Sequence, residues 1–315
     1  MRMGLFLVAG FTVNLLLSGI STGAEGPKPV PLMQALPLPN YETSFQRDGV
    51  ELTRYHYGPG LRRPFLYPIV GRSGRSLTRM GHPHDPESHS HHNSVWISHN
   101  DVNGVSFWDD RAKGRIAHRR IERFEDGAEE ASVSTVNEWL TTNSVLVIEK
   151  HVVTVRTLPN DEWFLLLDLL LESKNAPVTF GKTPFGLAGV RLAKSIGVHD
   201  GGGRIRNSEG GVNESGVLWK RAKWVDYSGA IKPGVIEGVT LLDHPTNPNH
   251  PTFFHVRNDG WMGASLTHDA PRTVEKPLRL RYGLYVHRES PSDGKLNEIW
   301  NKFTNLPLPS FNRQR

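Results

Sequence analysis

The chain of 315 residues contains no cysteine. It therefore cannot form a disulfide framework, and a metal site in it would have no thiolate ligand. An excess of one charge is also missing, because 37 basic and 32 acidic residues leave a net charge of only +5. The basic residues are scattered rather than grouped into the patch that nucleic-acid binding requires. We therefore expect no nucleic-acid partner.

No apolar run long enough to span a bilayer follows the first 24 residues. Arg2 precedes the apolar segment "GLFLVAGFTVNLLLSGI", which is followed by the small residues "STGA". This order is typical of a secretion signal that is cleaved after Ala24. We therefore expect an exported protein, periplasmic or secreted, with no stable membrane insertion once residues 1–24 are removed.

The remaining sequence predicts an all-β fold. Residues 25–40, "EGPKPVPLMQALPLPN", are expected to form a proline-rich extended leader. Residues 144–158 and 162–173 are long apolar or alternating runs joined by a "PND" turn, which predicts a hairpin. The second run is apolar on both faces, so both sides of its sheet should be covered. We predict a single domain over residues 41–315, a large antiparallel β-sandwich.

A short helix is expected near the C-terminus. Ser292 or Asp293 is positioned as its N-cap, and apolar residues follow at helical spacing at Leu296, Ile299, Trp300 and Phe303. This amphipathic pattern predicts a helix that packs against the sandwich as a terminal brace.

Histidine is concentrated in one stretch, "MGHPHDPESHSHHNSVWISHNDVNGVSFW", over residues 80–108. Five histidines lie between His82 and His92, and a sixth is His99. Residues two apart in an extended segment project to the same side, so an H-x-H pair can hold one ion. A divalent metal bound by imidazole and carboxylate groups would have as candidate ligands His82, His84, His89 and His91.

Imidazole also titrates near neutral pH and can transfer protons without a metal. The candidate proton-transfer groups are His84, His91 and His92, with Asp85 orienting a ring. A solvated histidine-rich loop remains the alternative interpretation of the same stretch.

Side chains suited to a polar ligand flank the histidines. Aromatic faces beside amide, carboxylate and imidazole groups suit a sugar, which has apolar faces and a rim of hydroxyl groups. The candidate binding residues in this part are Trp96, His99, Asp101 and Asn103. Trp96 and Trp108 are equally compatible with a place in the core.

Two further segments supply candidate binding residues. Arg191 stands alone in an apolar stretch, where it would pair with a carboxylate or bind an anionic or hydroxylated ligand. The segment "LLDHPTNPNHPTFFHVRNDGW" contributes Asp243, His244, Asn247 and His250. Such residues also stabilise turns by binding their own backbone. If they serve the ligand, this loop and the histidine loop should converge on one cleft.

Several blocks of the sequence resemble an exported bacterial family labelled methane oxygenase PmoA. They include "RPFLYPIVGRSGRSLTR", "HSHHNSVWISHNDVNGVSFW", "TPFGLAGVRLAKSIG" and "DHPTNPNHPT", and the resemblance runs from about Phe45 to Phe303. The methane monooxygenase subunit of that name is an integral membrane protein, and this chain has no comparable helices after its first 24 residues. The resemblance therefore implies a shared fold and site, not methane oxidation. The chain is also similar to the galactose-mutarotase-like supersandwich, whose enzymes act on sugars with histidine and a carboxylate.

Two functions follow from these observations. The first is a carbohydrate-active enzyme of hydrolase, lyase or epimerase type that uses histidine and carboxylate groups or a metal. The second is a non-catalytic exported protein that binds a sugar or a metal. A copper oxygenase with an amino-terminal histidine brace is disfavoured, because cleavage after Ala24 leaves Glu25 first.

Overall fold

Antiparallel strands dominate the computed structural model, which describes residues 29–82, 84–85 and 87–311. In chain order the first strands are β1 Met33–Leu38, β2 Glu42–Arg47, β3 Val50–His56, β4 Phe65–Ile69, β5 Val95–Ile97, β6 Arg115–Glu125, β7 Glu130–Leu140, β8 Val145–Thr157, β9 Trp163–Ser173 and β10 Val178–Phe180. The others are β11 Ala188–Arg191, β12 Arg204–Asn207, β13 Lys220–Ala222, β14 Trp224–Lys232, β15 Val235–Asp243, β16 Thr252–Arg257, β17 Trp261–Ser265, β18 Arg272–Val274 and β19 Leu278–Arg288. The helices are α1 Val198–Gly201, α2 Asn213–Val217 and α3 Asp293–Thr304.

Two large sheets form the sandwich that the sequence predicts. Within the described residues, one sheet has nine strands in the order β1-β2-β3-β4-β5-β11-β17-β16-β13, and the other has eight in the order β12-β14-β15-β19-β9-β8-β7-β6. Strands β10 and β18 make a small separate pair. The described residues from Pro31 onward form one compact unit.

The predicted hairpin is confirmed as β8 and β9, which pair from Val147 with Ser173 to Thr157 with Trp163. Side chains of β9 alternate between two apolar layers, as a strand with both faces buried requires. Leu165 and Leu167 point into the main core between the large sheets. Phe164 and Leu166 point to the opposite face, where they pack with helix α3.

Helix α3 covers the outer face of the eight-stranded sheet. Oγ of Ser292 accepts a hydrogen bond from the backbone N–H of Lys295, so Ser292 is the N-cap. Leu296, Ile299 and Phe303 are the buried residues of the helix. The predicted terminal brace is therefore confirmed, with its apolar stripe against β9, β14, β15 and β19.

One boundary predicted from the sequence is wrong. Residues 25–40 were expected to be an extended leader, but residues 33–38 form strand β1, which pairs with β2. Met33 and Ala35 are buried in the main core, and that apolar contact outweighs the proline content. Pro37 is tolerated because β1 is an edge strand. The predicted signal, residues 1–24, lies outside the described residues.

No helix of the described part of the chain is both long and apolar enough to cross a membrane.

Candidate functional site

The candidate site lies on the outer face of the nine-stranded sheet. Strand alternation directs Val95 and Ile97 into the main core and Trp96 to the opposite face. There Trp96 packs with Trp108 and Trp261, and the ring centroids are 5.3–5.6 Å apart. We call these three residues the tryptophan cluster. Gly189 lies beneath it, and a Cβ at that position would be 2.8 Å from Trp261 and 3.0 Å from Trp96. A glycine therefore lets the rings approach the sheet.

A histidine loop, residues 80–93, folds over the tryptophan cluster. The backbone N–H of Gly81 donates to the carbonyl of His92 (2.7 Å), and that of His92 donates to the carbonyl of His89 (3.1 Å). These bonds bring the imidazoles together. The His82 and His89 rings are 4.8 Å apart, His89 and His92 4.9 Å, and His91 and His92 4.5 Å.

His92 is the contact between the loop and the tryptophan cluster. Its ring stacks on Trp261 at 5.4 Å and on Trp96 at 5.6 Å, and the residue is only 6 % exposed. Burial and the nearby Arg191 guanidinium lower the pKa of His92, so the ring is neutral. Burial also lowers the pKa of His91 to about 4, with Arg63 adding to the effect. Both residues were predicted as proton-transfer groups, but the structure gives His92 a packing position.

His82 is held by a carboxylate and a backbone amide. Its Nε2 donates to Oδ2 of Asp259 (2.9 Å), and its Nδ1 accepts from the backbone N–H of His84 (3.1 Å). Both ring nitrogens are therefore used, and the tautomer is fixed. Oδ1 of Asp259 accepts from Nη1 of Arg191 (2.9 Å), and Arg191 is fully buried. Arg191 thus pairs with a carboxylate, which is one of the two roles expected for it.

Asp259 is a strongly acidic member of this group. Burial raises the pKa of its carboxyl, but Arg191 and His82 outweigh burial and hold it at about 2. Arg79 lies in the same charged group, and its Nη2 donates to the Asp259 carbonyl (3.1 Å). Burial, aided by the Arg191 charge, lowers the pKa of Arg79 to about 10. The Asp259 carboxylate therefore compensates the positive charges of Arg191 and Arg79 next to the histidine loop.

His84 is oriented by a second carboxylate. Its Nε2 lies 2.8 Å from Oδ1 of Asp200, which belongs to α1. Nδ1 of His84 has no partner among the described residues, and about half of the side chain is exposed. The His82 and His84 rings lie 6.1 Å apart. Each of the two imidazoles, however, binds a carboxylate from a distant segment.

His89 has a related arrangement within the loop. Its Nδ1 lies 2.9 Å from Oδ2 of Asp85, and Ser88 also binds that carboxylate. Hydrogen bonds from Ser88, with a smaller effect of His89, lower the pKa of Asp85 to about 2. Asp85 therefore orients His89, whereas the sequence pattern placed it beside His84. His89 keeps Nε2 free of partners within the described part of the chain.

The arrangement does not fit the predicted metal site. In residues 29–82, 84–85 and 87–311, no group of three or more histidines and carboxylates is arranged to hold a metal ion. A ligating imidazole needs a free ring nitrogen, and His82 has none. His84 and His89 each bind a carboxylate through one nitrogen, and no described residue binds the other nitrogen. The structure therefore gives no support to His82, His84, His89 and His91 as a ligand set.

His99, Asp101 and Asn103 have positions within a turn rather than in the histidine site. Nε2 of His99 donates to Oγ1 of Thr267 (2.8 Å), and its Nδ1 accepts from the backbone N–H of Asp101 (3.1 Å). Oδ1 of Asp101 accepts from the backbone of Gly104, and Oδ1 of Asn103 accepts from that of Thr179. These bonds stabilise the turn between β5 and β6 and join it to Thr179 of β10 and to Thr267.

The structure does not bring Asp243, His244, Asn247 and His250 to the histidine loop. The buried Asp243 carboxylate accepts from Asn247 (2.8 Å), His250 (2.7 Å) and the backbone of Thr252 (3.0 Å). This closed turn precedes the six residues of β16, and Asp259 follows the other end of that strand. A strand of this length spans roughly 20 Å. The expected convergence of the two loops is therefore not found, and the alternative role in turn stabilisation applies.

Sequence reasoning missed the carboxylates of the site. Asp259 lies in "RNDGW", which indicates only a turn, and Asp200 lies in "HDGGG", a stretch with no evident function. Trp261 was also missed as a site residue. Its only signal was its place directly after the turn of Asp259, at the start of β17.

Comparisons with known proteins place the chain in a family without a known activity. A fold similarity is found to the 4-alpha-glucanotransferase from Thermococcus litoralis, with a TM-score of 0.32 and 11% sequence identity. It covers 83% of this chain and 40% of that enzyme, so this chain spans less than half of the enzyme's length. No curated protein matches the chain. A family model described as "Family of unknown function (DUF6807)" matches residues 42–301. The chain therefore belongs to the DUF6807 family.

Proposed function

We propose that the protein binds a carbohydrate at the histidine loop and carries out proton-transfer chemistry on it. The observation that carries this proposal is the pair of half-exposed imidazoles, His84 and His89. Each is oriented by a carboxylate, and no described residue binds its opposite nitrogen. Orientation of a base by a third group is the arrangement that activates histidine in proton transfer. The side-chain exposures, 49% for His84 and 38% for His89, leave both rings accessible to a ligand.

The two imidazoles suit an acid and base pair. They flank His82, whose ring lies 6.1 Å from His84 and 4.8 Å from His89. One ring can accept a proton from a sugar hydroxyl or C–H group while the other donates one, as an epimerase, lyase or hydrolase requires. His82 and Arg191 act as positioning residues, because Asp259 fixes both.

The remaining parts of the proposal rest on the sequence. The segment at residues 1–24 supports export to the periplasm or beyond. The motif blocks support kinship with the family labelled PmoA, and the chemistry proposed for this chain is directed at sugars rather than methane. A divalent metal plays no part in the proposal.

A screen of binding and turnover tests the proposal. Full-length protein without a histidine tag is incubated with neutral and acidic mono- and oligosaccharides, and saturation-transfer NMR and product analysis are recorded. Wild-type protein should bind and convert at least one sugar. His84→Gln should keep binding but lose about 10²-fold or more in rate. The control His118→Gln, on β6 of the other sheet, should leave both unchanged. No binding of any sugar would contradict the proposal.

A second candidate is a sugar-binding protein without turnover. It is favoured by the fixed state of His82, both of whose ring nitrogens are already bound. Binding without conversion of any sugar in the same screen, unchanged by His84→Gln, would support this candidate.

A further inference from the structure

A row of aromatic and imidazole rings leads away from the histidine site across the outer face of the nine-stranded sheet. From Trp108 the successive centroid distances are 5.9 Å to Phe185, 5.5 Å to His255 and 6.1 Å to Trp219. The row starts at the tryptophan cluster, because Trp108 is one of its members. The Trp108 ring also lies 6.0 Å from the ring of His91 in the histidine loop. We call these four residues, Trp108, Phe185, His255 and Trp219, the aromatic strip.

Trp219 occupies a backbone conformation that is unfavourable for a residue with a side chain. Its φ is 56°, in the left-handed region that favours glycine, and the residue is 47% exposed. A hydrogen bond from its backbone N–H to the carbonyl of Phe254 (2.8 Å) holds the chain there. The Trp219 ring is therefore held in a fixed position at the surface, next to His255, where a ligand can stack on it.

His255 provides a polar group within the strip. The residue is 8% exposed, and its Nδ1 is buried without a hydrogen-bond partner among the described residues. Burial, together with the charge of Arg257, lowers the pKa of His255 to about 4, so the ring is neutral at neutral pH. A neutral imidazole has one donor and one acceptor nitrogen, which is the pairing that a sugar hydroxyl requires.

The spacing of the rings indicates the class of ligand that the aromatic strip would bind. Exposed faces of Phe185 and Trp219 alternate with the imidazole of His255, and each step is comparable in size to one pyranose ring. Aromatic faces pack against the C–H faces of sugars, while polar groups between them bind hydroxyl groups. The strip is also continuous with the histidine site through Trp108. A chain of repeating sugar units matches this pattern along its length.

We propose that the aromatic strip binds additional sugar units of a ligand whose reacting unit lies at the histidine loop. The ligand class is therefore an oligosaccharide or polysaccharide rather than a free monosaccharide. This inference rests on the proposed function and specifies its substrate.

Binding of sugars of different length tests the inference. Calorimetric titrations compare glucose, xylose and galacturonic acid with maltotetraose, cellotetraose, xylotetraose and tetragalacturonic acid. At least one tetramer should bind wild-type protein about tenfold or more tightly than its monomer, as expected for added aromatic stacking. Trp219→Ala and Phe185→Ala should each reduce this gain while leaving binding of the monomer unchanged.

Tyr41 offers a matched control. It is an exposed aromatic residue with a φ of 61°, at the turn between β1 and β2 and away from the strip. Tyr41→Ala should bind tetramer and monomer as wild-type protein does. Thermal melting of each variant checks folding, and the two strip variants lie in separate segments, so both would have to misfold to imitate the expected result.

The possible outcomes separate the two proposals. If wild-type protein binds monomer and tetramer equally, or if both strip variants keep the full gain, the aromatic strip inference is overturned while the proposed function stands. If no sugar binds wild-type protein, both are overturned. The inference is supported if the higher affinity for the tetramer is lost in the strip variants and kept in Tyr41→Ala.

Discussion

Arg191 is a fully buried cation whose charge is balanced mainly by one carboxylate, that of Asp259. Such pairs contribute little when intact, but removal of one partner leaves an uncompensated charge in a medium of low polarity. The same carboxylate fixes His82. Stability and site geometry therefore depend on one residue.

We predict that Asp259→Asn destabilises the protein by about 2 kcal/mol at pH 7, from the depression of this pKa to about 2. A carboxyl with a lowered pKa stabilises the fold above its ordinary pKa, and that contribution disappears as the pH falls through the folded value. That loss begins only near pH 4, so the difference between wild type and variant should stay constant from pH 8 to pH 6. Urea unfolding at a series of pH values in this range measures it.

The control for this prediction is Asp161→Asn, which removes an exposed carboxylate paired with Arg47 and Arg72. Its effect should stay within about 0.5 kcal/mol. An effect of Asp259→Asn that is no larger than that of Asp161→Asn would contradict the assigned role.

At this scale the sequence singled out His82 and His84, whose rings lie 6.1 Å apart. Their partners, Asp259 and Asp200, are 177 and 116 positions away along the chain. No local pattern connects such residues, because strand order in the sheet decides which loops meet.

Among the elements, the histidine loop is held partly by side-chain pairs with other segments. The His84–Asp200 pair joins it to α1, and the side chains of His84 and Asp200 are 49% and 12% exposed. Exposed pairs contribute at most about 1 kcal/mol to global stability, yet they can limit local opening.

We predict that Asp200→Asn changes the free energy of unfolding by less than about 1 kcal/mol. Amide hydrogen exchange over residues 81–92 should nevertheless become faster, because the loop loses one of its anchors. Exchange measured by mass spectrometry tests this, with peptides from β8 as an internal reference. Unchanged exchange in the loop would show that the pair does not hold it.

Helix α3 is the other element whose role can be tested. Phe303 is fully buried, and its ring lies over Gly283 of β19, where a Cβ would be 2.7 Å from it. We predict that Phe303→Ala lowers the free energy of unfolding by about 3–5 kcal/mol through loss of burial and a residual cavity. Lys302→Ala, on the exposed side of the same helix, should change it little. Chemical denaturation compares the two, and a similar small effect for both would contradict the predicted brace.

Elements with a strong local pattern were predicted well. The β8–β9 hairpin and α3 each have their own periodicity and turn or capping residues, and these act within a few positions. Strand β1 was missed because its proline-rich composition resembles a leader, whereas its place is decided by pairing with β2 and burial of Met33. The segment around Asp243 was expected either to bind a ligand or to stabilise a turn. In the structure its polar side chains bind one another.

At the scale of the whole molecule, several neutral imidazoles are buried in separate places. Burial lowers the pKa of each to about 4: His91, His99, His244 and His255. In the unfolded chain these groups take up protons near pH 6.5. The unfolded state therefore binds more protons than the folded state between pH 6.5 and 4, and stability must fall as the pH falls through this range.

We predict that the free energy of unfolding decreases steeply below pH 6.5, with a slope approaching about 5 kcal/mol per pH unit if all four groups contribute. Thermal melting and urea titration between pH 8 and pH 5 measure this slope. His244→Gln should reduce the slope by about one proton. Stability that is constant from pH 7 to pH 5 would refute the prediction.

The overall architecture followed from the sequence because alternation and turns recur along the entire chain. The pattern does not specify which sheet face carries a ligand. That information lies in Gly189, whose missing side chain admits Trp96 and Trp261, and in the loop that covers them.

The most direct test of the account is a crystal structure with the tightest-binding sugar from the screen. We predict a sugar unit within hydrogen-bonding distance of Nδ1 of His84 or Nε2 of His89, beside the tryptophan cluster. A sugar bound elsewhere would contradict the account, for example in the cavity of about 400 Å³ lined in part by Leu32, Arg47 and Trp163.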